Sequence, residues 1–161
     1  MKKTLVLFRH GEAESDSNLG DHGRKLTVRG EDQATKTSKA LASLNLGTCF
    51  FLVSDAMRAR QTFASCKPFF KDVGSIEDPR LYLTGIEKMR VVLKNIDLSD
   101  DIETLGFVGH NPGLSLALAS LAGDVTGLST ADAAVLSIDA DNWNEALAMD
   151  GCWDVSVIIK G

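Results

Sequence analysis

The sequence predicts an α/β fold in a single domain over residues 1–161, with a mostly parallel central sheet flanked by helices. Two observations support this prediction. Short apolar runs of strand length alternate with segments of helical periodicity, which is the pattern of parallel strands joined by helices. The chain has 161 residues, of which 44% are hydrophobic and 24% charged, and no linker, internal repeat or low-complexity tract divides it. A chain of this length and composition can bury one sufficient core.

The first unit of the alternating pattern is a strand followed by a helix. Residues 4–8 form a mostly apolar run of buried-strand length. Thr27 is a favourable N-cap, and it predicts a helix that runs to about Leu44. The spacing of Ala34, Leu41 and Leu44 predicts that these three side chains lie on its buried face.

The middle of the chain repeats the pattern. Residues 49–53 predict a second strand, and a helix is predicted from about Met57 to the neighbourhood of Pro68, since proline is poorly tolerated inside a helix. Residues 84–87, Thr-Gly-Ile-Glu, have the form of a capping box and predict a further helix that ends near Asp97. The apolar residues of that helix recur at helical spacing: Ile86, Met89, Leu93 and Ile96.

The last third adds a strand, a helix and two late strands. Residues 104–108 predict the strand, Pro112 suits the first position of the helix after it, and Gly123 is the expected end of that helix. Residues 134–138 and 153–159 predict the late strands. The buried face of the helix is expected to consist of Leu114, Ala117, Leu118 and Leu121.

Two histidines directly follow two of the apolar strands. Arg9-His10-Gly11 comes after the first, and Gly109-His110-Asn111-Pro112-Gly113 comes after the strand at 104–108. Arg58 follows another predicted strand, residues 49–53, and lies at the start of the helix after it. Because ligands of open α/β sheets bind at the carboxyl ends of the strands, these residues predict one cationic pocket.

Four motif blocks in this chain resemble those of the histidine phosphatase superfamily. The blocks are Arg-His-Gly-Glu-Ala at 9–13, Asp-x-x-Arg-x-Leu-Thr-x-x-Gly at 21–30, Ser-x-x-x-Arg-Ala-x-Gln-Thr at 54–62 and Gly-His-Asn-Pro-Gly at 109–113. Their order and spacing span about two thirds of the chain and are similar to the small SixA-like phosphohistidine phosphatase branch. The resemblance implies a three-layer, phosphoglycerate mutase-like domain. It also implies a metal-independent phosphatase that works through a phosphohistidine enzyme intermediate.

The four central residues of the predicted pocket suit phosphoryl transfer. A neutral imidazole is a competent nucleophile near physiological pH, so His10 is the expected attacking residue. Arg9 and Arg58 present planar, permanently charged forks that match phosphate oxygens and the charge of the transition state. His110 lies at a predicted helix start, where an anion is already favoured, and is expected to bind phosphate and stabilise charge.

Three further residues are expected to contact substrate: Gly11, Arg24 and Asn111. Gly11, like Gly109, lacks a side chain and would let the backbone approach a ligand closely. Arg24 has two interpretations of equal weight, a phosphate contact over the pocket or an ion pair with Asp21 that holds the loop.

The sequence offers no convincing proton donor for the leaving group. Glu87 is the one candidate acid, but its capping-box position already predicts a structural role. A phosphorylated imidazole has a relatively good leaving group, whereas an alkyl phosphate needs a proton delivered in the transition state. The sequence therefore favours phosphohistidine in a protein as the substrate.

Composition restricts location and partners. The net charge of −5 argues against a nucleic-acid surface. Residues 1–8 resemble the start of a signal peptide, but their apolar run is too short for one or for a membrane span, so a cytoplasmic location is expected. The three cysteines are scattered, which predicts reduced core thiols: Cys49, Cys66 and Cys152. We expect a monomer without a cofactor or bound metal, acting on a phosphorylated protein or a small phosphorylated metabolite.

Two other functions remain open at this stage. One is a phosphomonoesterase or mutase of small phosphorylated metabolites, although residues 12–17 depart from the Arg-His-Gly-x-Ser-x-x-Asn pattern of the mutases. The other is a non-catalytic phosphate-binding module, since a fold alone does not define an activity. Retention of His10 argues against the second, because binding alone requires no nucleophile.

Overall fold

Six strands form one sheet in the computed structural model, which describes residues 1–161. The strands are β1 (Lys2–Arg9), β2 (Cys49–Ser54), β3 (Gly74–Asp78), β4 (Thr104–Gly109), β5 (Ala133–Asp139) and β6 (Asp154–Ile159). Their order across the sheet is β3-β2-β4-β1-β5-β6. The first four run parallel, and β5 pairs antiparallel with both β1 and β6.

The register of the parallel strands makes their carboxyl ends level. Arg9 pairs with Gly109 across β1 and β4, and Val53 pairs with Val108 across β2 and β4. The N–H of His10 then donates to the Gly109 carbonyl at 3.0 Å, one residue beyond the ladder. The segments that follow β1, β2 and β4 therefore leave the sheet side by side at one edge.

Five helices cover the two faces of the sheet. They are α1 (Val28–Ala42), α2 (Met57–Ala64), α3 (Ile86–Lys94), α4 (Gly113–Ala122) and α5 (Trp143–Ala148). Side chains alternate along β1, so Leu5 and Leu7 pack in a core of 23 buried residues with α3, α4 and α5. Val6 and Phe8 face the opposite core of 13 residues, with α1 and α2. The predicted three-layer α/β fold is confirmed.

The predicted caps were right for α1 and wrong for α3. Thr27 accepts a hydrogen bond from the Gly30 N–H at 3.0 Å, as expected. At α3 the N-cap is Gly85, without a side-chain hydrogen bond, so the capping box does not form. The helix begins one residue later than the capping box requires, so Thr84 lies before the N-cap. Its hydroxyl donates to the Arg80 carbonyl at 3.0 Å.

Several boundaries differ from the predictions for local reasons. The helix α1 ends at Ala42, where the Ser43 N–H already bonds back to carbonyls of the last turn, so Leu44 leaves the buried face and is 40% exposed. Pro112 is the N-cap of α4 rather than its first residue, while Gly123 ends the helix in the left-handed conformation, with φ 69°. Cys152 is exposed, unlike the two buried core thiols.

The sequence analysis missed two elements, β3 and α5. The strand β3 reads Gly-Ser-Ile-Glu-Asp and lies at the sheet edge, so it lacks the apolar run of a central strand. The helix α5 has only six residues. Its N-cap is Asn142, whose side chain accepts a hydrogen bond from the Glu145 N–H at 2.9 Å. None of the helices has the length and apolarity needed to cross a membrane.

Candidate active site

A cavity of about 280 Å³ opens at the level carboxyl ends of the parallel strands. The residues that line it are Arg9, His10, Asp21, Arg24, Arg58, Leu83, His110 and Asn111. Six of these eight were predicted as site residues, and the structure brings all six together. Asp21 and Leu83 were not predicted to be part of the site.

His10 is held as a neutral imidazole with a lone pair on Nε2. It is 8% exposed, and its Nδ1 lies 2.7 Å from the Gly11 carbonyl oxygen. A carbonyl only accepts, so Nδ1 carries the hydrogen and Nε2 has the lone pair. Burial, together with the charges of nearby arginines including Arg58, lowers the pKa of His10 to about 4 against the opposing effect of the Gly11 hydrogen bond. Nε2 is therefore unprotonated at neutral pH.

The guanidinium of Arg58 lies against that nitrogen. Its Nε–H donates to Nε2 of His10 at 3.3 Å, and the side chain is almost fully buried. Its other nitrogens donate to Asp21, to the backbone oxygen at 2.7 Å and to Oδ2 at 3.1 Å. Arg58 is the second residue of α2, so the helix that follows β2 fixes the cation beside the nucleophile.

The loop after His10 is fixed by close backbone packing. The Gly11 N–H donates to the Thr62 hydroxyl at 3.1 Å, and a Cβ on Gly11 would come within 2.5 Å of the Gly30 carbonyl oxygen. Gly11 therefore packs against the start of α1, and its N–H is already used. Gly11 does not line the cavity, so the structure gives no support to the predicted substrate contact there. Gly109 has no such constraint, because a Cβ there would find only Leu114, at 4.0 Å.

His110 is the second buried imidazole, and its ring centroid lies 5.2 Å from that of His10. Its Nε2 bonds to the Ser54 hydroxyl oxygen at 2.8 Å. That oxygen already accepts the Ala56 N–H at 3.3 Å, which favours donation of the Ser54 hydrogen to Nε2 and leaves Nδ1 as an N–H donor. Nδ1 is buried without a partner. Burial and the charges of His10 and Arg58 lower the pKa of His110 to about 3.

Arg9 and Asn111 are oriented by the same carbonyl group. The Leu128 oxygen accepts from Arg9 Nη1 at 2.8 Å and from Asn111 Nδ2 at 2.6 Å. Asn111 in turn accepts from the Ser115 hydroxyl at 2.8 Å. Burial lowers the pKa of Arg9 against the attraction of Asp132, and its Nε is buried without a partner. Arg9 Nε, like His110 Nδ1, therefore has hydrogen-bonding capacity that an anion in this cavity could use.

Asp21 is the carboxylate of the cavity. It bonds to Arg58, and its Oδ1 accepts from Arg24 Nη1 at 2.9 Å. The Tyr82 hydroxyl donates to its other oxygen, Oδ2. The Tyr82 and Arg24 hydrogen bonds hold the pKa of Asp21 well below its usual range. The predicted ion pair of Arg24 with Asp21 is present. Arg24 also lines the cavity, and its contact with phosphate stays a prediction.

Glu87 lies outside this site. Its side chain is 85% exposed and pairs with Arg90 at 3.2 Å. Arg90 also bonds to Asp150 at 2.7 Å, and none of these three residues lines the cavity. The structure thus offers no support for Glu87 as the acid. In the described chain, no group of three or more His, Cys, Asp or Glu side chains could hold a metal ion.

The cavity therefore has the charges to hold an anion beside a candidate nucleophile. Three arginines face one carboxylate, and the two imidazoles are neutral. Forked guanidinium groups match the oxygens of a phosphoryl group, and the unprotonated Nε2 can attack phosphorus.

Comparisons with known proteins agree with this arrangement. Residues 5–82 match the histidine phosphatase superfamily (branch 1). A Nakamurella multipartitia structure assigned to the SixA phosphohistidine phosphatases superposes with a TM-score of 0.82 at 26% identity, covering 99% of this chain and 96% of that one. The protein histidine phosphatase SixA complexed with tungstate has a TM-score of 0.78 at 19% identity, with 98% and 96% covered. A chloroplastic protein of Arabidopsis thaliana is 29% identical over 94% of this chain and 73% of its own length.

Fold, cavity and relatives define one class, the histidine phosphatases. Residues 5–82 match the model of the histidine phosphatase superfamily, and the whole chain is similar to its SixA-like branch. It is a phosphatase by class, and the resemblance inferred from the four motif blocks is confirmed.

Proposed function

We propose that this chain dephosphorylates phosphohistidine in a protein through a phosphorylated His10. The observation that supports this most directly is the state of His10. Its Nδ1–H is engaged by the Gly11 carbonyl, and its Nε2 lone pair lies beside the Arg58 guanidinium. A neutral imidazole with a fixed tautomer is ready for attack without a separate base.

The reaction takes two steps. In the first, the Nε2 lone pair attacks phosphorus, and the bond from phosphorus to the substrate's imidazole nitrogen breaks, with its electron pair going to that nitrogen. In the second, water attacks the phosphorus of phospho-His10, the P–N bond returns its electrons to Nε2, and inorganic phosphate leaves as the water proton passes to solvent. The arginines stabilise the charge on the equatorial oxygens in both steps.

The lack of a proton donor bears on the substrate. The carboxylate of the cavity, Asp21, has a lowered pKa and is ionised at neutral pH. Glu87 lies elsewhere. A departing imidazole can already carry a proton on its other nitrogen, whereas an alkoxide cannot leave readily without one. These properties favour phosphohistidine, or another substrate with a good leaving group, over alkyl phosphates.

The test is single-turnover labelling with a radiolabelled phosphohistidine protein. We expect acid-labile, base-stable label on His10 in the wild type and none in His10→Ala. Label on another residue, or none in a quenched run by active protein, would contradict the covalent step. Phosphate binding without any turnover would instead indicate a binding module, and a requirement for a bisphosphate would indicate a mutase.

A further inference from the structure

The cavity has one apolar wall among its charged residues. Leu83 lines it and is nevertheless 55% exposed, so its side chain lies at the mouth of the site. The other lining residues are polar or charged. Contact with a leucine side chain does not stabilise a phosphoryl group, because its oxygens are stabilised by hydrogen-bond donors and cations. This wall therefore concerns the rest of the substrate.

Leu83 also has an unusual backbone. Its φ is 51°, in the left-handed region that a leucine seldom adopts. Such conformations persist where the surrounding structure holds them, and they cluster at functional sites. Glycine or asparagine would adopt this φ with less strain, yet the position carries a large apolar side chain.

The neighbours of Leu83 are anchored on both sides. Before it, the Tyr82 N–H donates to the Pro79 carbonyl at 3.2 Å, and the Tyr82 hydroxyl donates to Asp21. After it, the Thr84 carbonyl packs on the start of α4 so closely that a Cβ on Gly113 would come within 1.9 Å of that oxygen. The backbone of Leu83 is therefore held on both sides, which sets the direction of its Cα–Cβ bond.

Aromatic rings lie next to the Leu83 segment, behind the cavity lining. The Tyr82 ring lies edge-on to His110, with centroids 5.4 Å apart, and 4.4 Å from the ring of His22. Tyr82 thus connects the Leu83 segment to the buried imidazole and to the loop that contains Asp21.

We propose that Leu83 contacts the leaving group and selects planar rings, such as the imidazole of phosphohistidine, over small polar leaving groups, with Tyr82 as its positioning residue. This inference rests on the proposed function and deepens it. A flat ring can lie against the leucine side chain while its phosphoryl group lies among the arginines. A leaving group without a ring leaves that apolar surface uncovered.

Binding of two non-hydrolysable probes tests the contact without turnover. We expect the wild type to bind phenylphosphonate more tightly than methylphosphonate in calorimetric titrations. Leu83→Asn should weaken phenylphosphonate binding about tenfold, the scale of losing part of a leucine's apolar contact, and weaken methylphosphonate binding much less. Leu83→Gly serves as the second variant. Asparagine and glycine both tolerate the positive φ of this position, so neither substitution should strain the backbone. Leu116→Asn is the matched control, at a leucine 64% exposed on α4.

Turnover tests the same contact with two P–N donors. The ratio of kcat/KM for phosphohistidine to that for phosphoramidate should fall in Leu83→Asn and Leu83→Gly and stay unchanged in Leu116→Asn. If the Leu83 variants lost affinity equally for both probes and lost kcat/KM equally for both donors, the inference would be overturned. The proposed function would be unaffected. The wild type could instead hydrolyse neither donor, while Leu83→Asn still loses the preference for phenylphosphonate. That result would overturn the proposed function but retain Leu83 as a ligand-recognition residue.

Discussion

Arg58 donates its Nε–H to Nε2 of His10 across 3.3 Å, and the same guanidinium holds Asp21 on its other side. The cation therefore lies between the nucleophile and the carboxylate of the cavity. Because Nε donates to the proposed attacking atom, it is placed to contact a phosphoryl group as the proposed bond forms. Charge-assisted hydrogen bonds of this kind contribute about 1.5–3 kcal/mol each.

Replacing Arg58 should therefore damage catalysis severely. Arg58→Lys keeps the charge but loses the fork, and we expect kcat/KM to fall on the order of 10³-fold, the loss of about two such hydrogen bonds. The control is Arg60→Lys, two residues along the same helix, where the guanidinium is exposed and pairs only with Glu77 at 3.2 Å. Steady-state kinetics with an aryl phosphate would show the difference. Similar losses in both variants would contradict a role specific to Arg58.

The two buried imidazoles should make stability depend on pH. An imidazole in the unfolded chain titrates near pH 6.5, whereas burial lowers the pKa of His10 to about 4 and that of His110 to about 3. The unfolded state thus binds more protons below pH 6.5, so stability falls as the pH drops from about 6.5 towards 4. Between pH 7.5 and 5 we expect a loss of about 2 kcal/mol from each histidine.

Urea unfolding in phosphate-free buffer would measure this dependence. In His10→Asn the difference between the two pH values should shrink by about the contribution of one histidine. Asp21 and Asp78 also have lowered pKa values, but these carboxylates titrate below this pH range. A wild type equally stable at both pH values would show that the imidazoles are not desolvated as the structure indicates.

A pair of glycines allows a test of the loop that carries His10. Gly11→Ala should destabilise the fold by about 1–3 kcal/mol, because its Cβ would come within 2.5 Å of the Gly30 carbonyl and overpack the contact with α1. It should also lower turnover by displacing His10. Gly109→Ala is the matched control, since a Cβ there meets only Leu114 at 4.0 Å. Equal thermal shifts in the two variants would disagree with this geometry.

The sequence predicted which residues meet in the cavity because the central ones follow strand ends. Arg9, His10, His110 and Asn111 come directly after β1 and β4, whose register makes their ends level. Once the strands were assigned, the convergence of these residues followed from the topology of the sheet. Arg58 could be placed in the same way, as the second residue of the helix after β2.

The residues that the sequence missed depend on contacts between distant loops. Tyr82 bonds to Asp21 across 61 positions of sequence, and no local pattern indicates this. The conformation of Leu83 depends on anchors supplied by Tyr82 and by the contact of Thr84 with Gly113. The capping box failed because the N-cap is Gly85, one residue after Thr84, whose carbonyl packs against Gly113 of α4.

Chelators should leave activity unchanged. The charge that a metal would neutralise in phosphoryl transfer can be carried by three arginines of the cavity. We expect equal initial rates with and without EDTA after extensive dialysis. A loss of activity that only a divalent cation restores would contradict a metal-independent reaction. His10→Ala, assayed in parallel, gives the background rate.

The absence of a placed proton donor gives a quantitative expectation for leaving groups. A general acid typically contributes on the order of 100-fold or more in rate, and that contribution should be missing here. Rates of phosphoryl transfer to His10 should fall steeply as the leaving group becomes more basic. Aryl phosphates and phosphohistidine should therefore react much faster than alkyl phosphates in single-turnover measurements.

Glu87→Gln provides the decisive comparison for that series. Glu87 is exposed and bonds to Arg90 at 3.2 Å, so the substitution should remove a weak surface ion pair and change stability by less than about 1 kcal/mol. The dependence on the leaving group should be the same as in the wild type. If the substitution instead abolished only the alkyl reaction in a folded protein, Glu87 would be the acid, reaching the cavity by a movement of α3. The substrate would then be a phosphate ester of a small metabolite, because a donated proton would make alkoxide departure feasible.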